Sequence, residues 1–224
     1  ADRAYLAFPQ TQRWFRKRVV RTTGVPLRPG FAPTPYELDK NRLQVLVLGG
    51  SQGAITLNRH VPAAIGIARG RTDRTIFVTH QSGHKREDEV TQAYRRADAL
   101  ENVRVLPFID DVPGALAKAD VVIQRAGASA LAETCAVGRP ALLIPYPFAA
   151  GDHQLHNARA LEKAGAAVCI PSDDAKAELL ADHLERLAAN TSRLKSMARA
   201  ARAHGRPEAA STVARDLLEL AEVA

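Results

Sequence analysis

The sequence contains few residues that bind metals or form cross-links. Only two of its 224 residues are cysteines, Cys135 and Cys169, and both lie in apolar surroundings. Neither has a second cysteine or a histidine at the spacing of a metal site. We therefore expect two reduced thiols in the core and no bound metal.

Long apolar runs are also missing. No stretch of about 18 apolar residues occurs, so no membrane-spanning helix is predicted. The first ten residues, ADRAYLAFPQ, lack the basic-then-apolar order of a secretory leader. These absences predict a cytosolic location. Because 46% of the residues are hydrophobic, the chain can fill a core, and we expect a globular fold.

Aromatic residues are scarce, at 5% of the chain, although the net charge is +7 and the pI is near 9.8. With no recognition motif present, this scarcity argues against nucleic acid as a partner. Residues 13–18 (RWFRKR) mix cations with aromatic rings, which suits contact with anionic lipid head groups or a phosphorylated substrate. A second basic cluster is expected to be the solvated face of a helix and comprises Arg193, Lys195, Arg199, Arg202 and Arg206.

From residue 43 onward, short runs typical of strands alternate with helical patterns. The predicted strands are residues 43–48, 75–79, 103–106, 120–123, 141–144 and 167–170. The predicted helices are residues 55–69, 84–99, 110–118, 129–137, 153–164, 175–189, 191–203 and 207–221. This alternation indicates an α/β fold, a Rossmann-like domain with a doubly wound, parallel six-stranded sheet.

The first 40 residues differ in composition from the rest. They hold five of the thirteen prolines, and residues 25–35 (VPLRPGFAPTP) have the composition of a linker. Residues 1–24 are too few to bury a core, although residues 4–8 and 19–20 resemble strands. We therefore expect four segments: residues 1–30, the last piece of a missing N-terminal domain; 31–42, the linker; 43–206, the Rossmann-like domain; and 207–224, a C-terminal helix.

A glycine-rich loop, GGSQGA at residues 49–54, follows the first predicted strand of the sheet. Glycines between a parallel strand and a helix permit a tight turn and leave N–H groups directed at an anion. The loop is neither a Walker loop nor a G-x-G-x-x-G motif, so a simple tight turn is an open alternative. Ser51 and Gln52 favour a ligand, since doubly wound folds bind ligands at the carboxyl end of the sheet.

A second loop, RAGASALAE at residues 125–133, leads from a strand into a helix. Ala128, Ser129 and Ala130 have so little side chain that a diphosphate can approach the backbone N–H groups and the positive end of the helix dipole. Glu133, about one turn into the helix, is suited to accept two hydrogen bonds from a ribose diol. Alternatively, Glu133 only complements the helix dipole, which contributes about 0.3–1 kcal/mol.

A third loop, PYPFAAGDHQLHN at residues 145–157, follows the fifth predicted strand and enters a helix. Asp152 is a candidate N-cap. Gln154 and Asn157 lie three residues apart on one helix face, and side chains that both donate and accept suit sugar hydroxyls. His153 is either a further sugar contact or a plain surface histidine.

The segment Phe108-Ile109-Asp110-Asp111 follows the third predicted strand. One interpretation is a plain helix start with Asp110 or Asp111 as the N-cap. The other is a flat apolar slot for a base ring, in which the backbone polar groups of Ile109 bind the edge of the base.

Four motifs occur in one order and spacing: GGSQG at 49–53, FIDD at 108–111, RAGAS at 125–129 with Glu133, and DHQ at 152–154 with Asn157. Together they resemble the C-terminal half of the MurG family, the bacterial peptidoglycan N-acetylglucosaminyltransferases that convert lipid I to lipid II. The resemblance implies one half of a two-domain GT-B glycosyltransferase. It also implies that this half binds UDP-N-acetylglucosamine, without metal or cofactor, at the cytoplasmic face of the membrane.

The resemblance further implies a role for each nucleotide contact. Ile109 contacts the uracil and Glu133 the ribose diol. The amides from Ala128 to Ala130, together with Ser51, hold the diphosphate, and Arg125 supports its loop structurally.

On the sugar side, the resemblance implies that His153 and Gln154 bind the hydroxyls, with Asn157 close by. The chain departs from the family at the hinge, where Gly24-Val25-Pro26 replaces the usual Gly-Asn-Pro, although Arg28 follows as expected. The departure affects the role of the hinge and not that of the donor site.

In the family, the N-terminal domain contacts the lipid-linked acceptor and carries a histidine suspected to be the general base. Neither feature lies in this chain, so we predict no catalytic residue within it and expect donor binding with scarcely any catalysis. One alternative stays open, a non-catalytic nucleotide-sugar-binding subunit of a split transferase. An epimerase on the same fold would need catalytic carboxylates and a histidine that this half alone does not show. The proline-rich segment before residue 43 favours a truncated enzyme over a split subunit.

Overall fold

The computed structural model describes residues 2–223; residues 1 and 224, at which the first and last predicted segments begin and end, lie outside the described residues. The strands are β1 (Ala4–Leu6), β2 (Val20–Thr22), β3 (Arg42–Leu48), β4 (Thr75–Gln81), β5 (Val103–Leu106), β6 (Val121–Gln124), β7 (Ala141–Leu143) and β8 (Ala167–Cys169). The α-helices are α1 (Ile55–Arg69), α2 (Glu87–Arg96), α3 (Val112–Lys118), α4 (Ala128–Val137), α5 (His153–Lys163), α6 (Ala177–Ala188), α7 (Thr191–His204) and α8 (Ala209–Val223).

Six of the strands form one parallel sheet in the order β5-β4-β3-β6-β7-β8. The chain therefore enters at β3 in the middle, extends outward to β5, and returns across the sheet to β6. The predicted doubly wound, parallel six-stranded sheet is confirmed. Its switch point, where successive strands begin to be added on the other side of the sheet, lies between β3 and β6.

The sheet separates two hydrophobic cores because successive side chains of a strand point to opposite faces. In β3, Val45 and Val47 pack in one core and Leu46 packs in the other. Helices α1, α2 and α6 cover the first face, and α3, α4 and α5 cover the second. Both faces are thus covered, as parallel sheets require.

The predicted helix at residues 84–99 is shorter in the structure, where α2 spans Glu87–Arg96. Lys85 and Asp98 have φ angles of 61° and 48°, which a right-handed helix cannot contain. The two thiols of Cys135 and Cys169 are free and buried, as predicted.

The N-terminal segment forms a small structure of its own. The two predicted strand-like stretches, 4–8 and 19–20, overlap β1 and β2, which pair in parallel with Ala4 opposite Val20, but β1 ends at Leu6 and Val19 ends a 3₁₀ turn. Asp216 of α8 accepts hydrogen bonds from Arg3 at 2.9 Å and from the Tyr5 hydroxyl at 2.7 Å. The C-terminal helix therefore packs back against the N-terminal segment.

One surface feature agrees with a further expectation. The five basic side chains of the second cluster are exposed on and just after α7, as predicted. Among the described residues, no helix is long and apolar enough to cross a membrane.

Candidate functional site

The candidate site lies at the switch point of the sheet. There the carboxyl ends of β3 and β6 are neighbours, with Leu48 opposite Gln124, and β7 is the next strand along. The glycine-rich loop follows β3, the RAGAS loop follows β6 and the loop of residues 145–152 follows β7. Three of the loops predicted from the sequence thus meet at the edge where doubly wound folds bind ligands.

The glycine-rich loop is a tight turn whose glycines are needed for its conformation. Gly50 and Gly53 have φ angles of 74° and 73°, and the Gly53 N–H donates to the Gly50 carbonyl at 3.0 Å. A Cβ on Gly53 would lie 2.1 Å from the Ser82 carbonyl oxygen, so this loop packs backbone against backbone on the loop after β4. Ser51 and Gln52 are exposed at its tip, and in residues 2–223 their side chains have no hydrogen-bond partner.

The N-terminus of α4 presents uncapped backbone amides. Gly127 occupies the N-cap position without a side chain to cap the helix, and a Cβ built on it would meet nothing within 4 Å. Ala128, Ser129 and Ala130 form the first turn, whose N–H groups have no intrahelical acceptor. Open space, unpaired donors and the positive end of the dipole together make this helix end a candidate anion site.

Arg125 supports this arrangement from below, as expected. Its guanidinium donates to the carbonyls of Ile144 and Pro145, both at 3.1 Å. It also contacts the Ser172 hydroxyl at 3.3 Å and the Thr56 hydroxyl at 3.1 Å. Burial lowers the pKa of Arg125, but a guanidinium remains charged. The side chain therefore joins three elements beneath the site.

Gln154 and Asn157 connect two of the loops. The Gln154 side-chain oxygen accepts from the backbone N–H of Ala126 at 3.2 Å and from that of Tyr146 at 3.0 Å. The Asn157 side chain donates to the Ala126 carbonyl at 3.2 Å, so the predicted shared face is confirmed. Because its oxygen is engaged, Gln154 retains only its amide N–H groups for a sugar. The sequence did not indicate this restriction.

His153 lies at the start of α5 and is exposed. Its Nδ1 lies 2.8 Å from the Ala150 carbonyl oxygen. A carbonyl only accepts, so Nδ1 donates this hydrogen bond and Nε2 is left for a ligand. Asp152 occupies the N-cap position with φ of 52°, but its side chain makes no capping hydrogen bond, so the predicted capping role is wrong. The left-handed backbone at Asp152 differs from the extended conformation that an N-cap residue normally adopts.

Glu133 is the sixth residue of α4 and is half-buried. Burial raises the pKa of its carboxyl group, and the charge of Arg28 opposes the shift. Within the described chain, no donor hydrogen-bonds to this carboxylate and no cation lies within ion-pair distance. The dipole effect fades beyond the first turn, so the helix dipole is a weak reason for an acid at this position. The ligand interpretation is favoured.

Ile109 combines a buried side chain with unbonded backbone groups. Its side chain is 6% exposed and packs in the core shared with α3 and α4. No hydrogen bond forms to its N–H or C=O from the residues that the structure describes. Asp111 accepts from the Gly114 N–H at 2.8 Å and is the N-cap of α3. The segment is therefore a capped helix start that also leaves a donor and an acceptor for the edge of a base.

Sequence reasoning missed the loop after β4. Ser82 and Gly83 follow that strand, and Gly83 has a φ of 88° and packs against Gly53. The signal was available, because Ser-Gly directly after an apolar strand has the same form as the glycine-rich loop after β3. The supporting roles of Thr56 and Ser172 had no local signal, since they arise from tertiary neighbours.

The fold and the site define a class of protein. A doubly wound sheet with an anion-binding helix end at its switch point, and an unpaired acid further along that helix, is typical of a domain that binds a nucleoside diphosphate. In the described part of the chain, no three His, Cys, Asp or Glu side chains are grouped to hold a metal ion.

Comparison with known proteins then gives the family. The family model for the glycosyltransferase family 28 C-terminal domain matches residues 44–213, and the chain belongs to this family. The architecture is that of the C-terminal domain of a GT-B glycosyltransferase. The matched range begins in β3 and ends in α8 and thus contains the loops of the site, but not Arg28.

The relatives are longer than this chain. It is 56% identical, over 98% of its own length and 54% of the relative's, to a protein of Sorangium cellulosum named UDP-N-acetylglucosamine-N-acetylmuramyl-(pentapeptide) pyrophosphoryl-undecaprenol N-acetylglucosamine transferase. A protein of Solibacter usitatus with the same name is 38% identical over 97% of this chain and 58% of the relative. The crystal structure of Acinetobacter baumannii MurG matches with a TM-score of 0.79 and 33% identity, over 98% of this chain and 61% of that one. The chain thus spans about half the length of the curated relatives that it matches.

Proposed function

We propose that the chain is the donor-binding half of an N-acetylglucosaminyltransferase. In the complete enzyme it would bind UDP-N-acetylglucosamine while the other half binds lipid I, and transfer of the sugar would give lipid II. The names of the relatives support this substrate pair. The chain alone is expected to bind the donor with scarcely any transfer, because transfer needs donor and acceptor positioned together.

The α4 helix carries the proposal. Its first amides face open space beside Gly127, and the unpaired Glu133 lies further along the same helix. A diphosphate at the helix end therefore places the ribose diol of the same nucleotide towards Glu133. Ile109 supplies a donor and an acceptor for the uracil, and Arg28 lies on the Glu133 side of the site.

In the transfer step, the acceptor hydroxyl would attack the anomeric carbon while the bond to the diphosphate breaks, with inversion at that carbon. Charge grows on the leaving diphosphate, and the α4 amides and dipole are already oriented to stabilise it. No metal is required for this stabilisation. His153 and the Gln154 amide would hold the sugar, and the general base would come from outside this chain.

The segment arrangement is part of the proposal. Residues 1–30 would complete the acceptor half, 31–42 would form the hinge, 43–206 would bind the donor, and 207–224 would return to the acceptor half. Phe15, Arg16, Lys17 and Arg18 are exposed and would contact the anionic cytoplasmic face of the membrane. The protein would therefore be peripheral, and nucleic acid is not an expected partner.

Calorimetry with UDP and 2′-deoxy-UDP tests the assignment of Glu133. A charged hydrogen bond contributes about 1.5–3 kcal/mol, so UDP should bind about 10- to 100-fold more tightly than the deoxy analogue. Glu133→Ala should abolish this preference. Glu219→Ala, at an exposed site on α8, is the matched control and should preserve it. Equal binding of UDP by the parent and Glu133→Ala would refute the ribose assignment, and no UDP binding by the parent would refute the proposed function.

A further inference from the structure

A chain of hydrogen-bonded side chains lies buried under the glycine-rich loop. It links Tyr94 of α2, His80 of β4 and Asn58 of α1, and ends at the backbone carbonyl of Ser82. The three side chains are 0%, 0% and 3% exposed. They contact no ligand site directly, so a buried polar chain in this position calls for another role.

The direction of each hydrogen bond follows from the groups that can only accept. The Ser82 carbonyl accepts from the Asn58 amide nitrogen at 2.8 Å, so the Asn58 oxygen faces His80. That oxygen accepts from His80 Nε2 at 3.1 Å, which places the proton on Nε2. His80 Nδ1 then accepts from the Tyr94 hydroxyl at 2.9 Å. One arrangement thus satisfies every member of the chain with neutral groups.

The series of hydrogen-bonded side chains ends at the Ser82 carbonyl, against which the glycine-rich loop packs. A Cβ built on Gly53 would lie only 2.1 Å from the Ser82 carbonyl oxygen, so the two backbone segments are in close contact. Beside this contact, the His84 N–H donates to the Ser51 carbonyl at 3.3 Å, and the Gly49 N–H donates to the Gln81 carbonyl at 3.3 Å. The position of the Ser82 carbonyl therefore sets the position of the glycine-rich loop.

Ser82 is also fixed from the opposite side. Its backbone N–H and its hydroxyl both reach the Leu106 carbonyl, at 2.9 and 3.1 Å. Among the described side chains, only the Asn58 amide donates a hydrogen bond to the Ser82 carbonyl. The contact to Asn58 therefore links the Ser82 carbonyl to α1 and, through His80 and Tyr94, to α2.

We propose that Asn58, His80 and Tyr94 are positioning residues that hold the glycine-rich loop in its diphosphate-binding conformation. This inference rests on the proposed function for its ligand, and on the packing of the loop against Ser82 for its mechanism. Loss of the chain should loosen residues 49–54 and weaken contacts to the diphosphate. The nucleoside contacts at Ile109 and Glu133 lie on other loops and should be preserved.

Two variants and one matched control test the proposal. Asn58→Leu removes the link to Ser82 at similar volume, and Tyr94→Phe removes only the far hydroxyl. Tyr36→Phe is the control, because the Tyr36 hydroxyl is also inside the fold but donates to the Asp120 carbonyl at 2.6 Å, at the amino end of β6 and remote from the loop. Thermal unfolding of all three variants measures the general loss of stability.

Amide hydrogen exchange of the unliganded protein gives the first result. Within residues 49–54, the hydrogen-bonded amides of Gly49 and Gly53 should exchange at least tenfold faster in Asn58→Leu, and faster to a smaller degree in Tyr94→Phe, than in Tyr36→Phe. This measurement does not depend on the identity of the ligand. If Asn58→Leu fails to fold, the exchange rates of the loop in Tyr94→Phe and in Tyr36→Phe are compared instead. Unchanged exchange at residues 49–54 would overturn the proposal.

Titrations followed by NMR, which also measures weak binding, give the second result. UDP affinity should fall at least tenfold in Asn58→Leu, whereas uridine affinity should change less than twofold. A parallel loss for UDP and uridine, or full UDP affinity in Asn58→Leu, would overturn the positioning role. If the unaltered protein bound neither ligand, the proposed function would fail, while the exchange experiment would still decide whether the chain holds the loop.

Discussion

Acidification should destabilise this protein through His80. Burial lowers the pKa of its imidazole from the ordinary 6.5 to about 3, and only the neutral Tyr94 and Asn58 side chains hydrogen-bond to it. In the unfolded chain the same histidine takes up a proton below about pH 6.5. The unfolded state therefore binds more protons as the pH falls from 6.5 towards 3, and the free energy of unfolding decreases over this range.

The size of the effect follows from the two pKa values. Between pH 7 and pH 5, protonation of one unfolded histidine lowers the free energy of unfolding by about 2 kcal/mol when the folded form stays neutral. For a domain of this size, that corresponds to a fall of about 4–8 °C in Tm. The folded His80 starts to take up its proton only near pH 3.

Urea denaturation of the parent and His80→Gln at pH 7 and pH 5 measures this effect. His80→Gln should be less stable at pH 7, because a glutamine cannot place its acceptor and its donor at both ring-nitrogen positions of His80, but its stability should depend less on pH by about 2 kcal/mol. Burial also lowers the pKa values of His60 and His183, and their contributions cancel because both proteins contain them. An equal pH dependence in the two proteins would refute the assignment of a neutral, buried His80.

Three further predictions concern the loops and the core. Gly53→Ala places a Cβ against the Ser82 carbonyl at positive φ and should lower the free energy of unfolding by about 3 kcal/mol or more. Gly127→Ala, whose Cβ meets open space, should leave the urea midpoint nearly unchanged while weakening UDP binding. Arg125→Lys cannot reproduce the forked contacts and should lower the free energy of unfolding by about 2 kcal/mol, and an unchanged urea midpoint would contradict this role. Burial raises the pKa of the Cys135 thiol to about 12, so it should resist a disulfide reagent at pH 8 until urea unfolds the chain, and rapid labelling of the native protein would refute this.

The sheet could be predicted from the sequence because its signals are local. Each parallel strand is a short apolar run, and glycine marks where β3 ends and where α4 begins and ends. The six predicted strands lie within a residue or two of the observed ones. Helix ends were less certain, since the positive φ angles of Lys85 and Asp98 depend on how the flanking loops pack.

The site could be predicted as a set of loops but not as a set of contacts. The residues of α4 were identifiable because small side chains before an acid are an unusual way to begin a helix. The engagement of the Gln154 oxygen was not, because its two donors belong to loops that lie 28 and 8 residues away in the chain. The Asp152 interpretation was wrong for a similar reason, since a left-handed backbone at the N-cap has no reliable signature in a single sequence.

The absence of a side-chain cap on α4 affects both the stability of this domain and the proposed ligand binding. Serine, threonine, aspartate or asparagine in place of Gly127 would cap the first amides of α4 and add about a few tenths of a kcal/mol of stability over glycine. The same side chain would occupy the space in which the proposed phosphate group binds. An anion bound at this helix end, as proposed, would accept hydrogen bonds from the amides that no side chain caps, so ligand occupancy and folding stability should rise together.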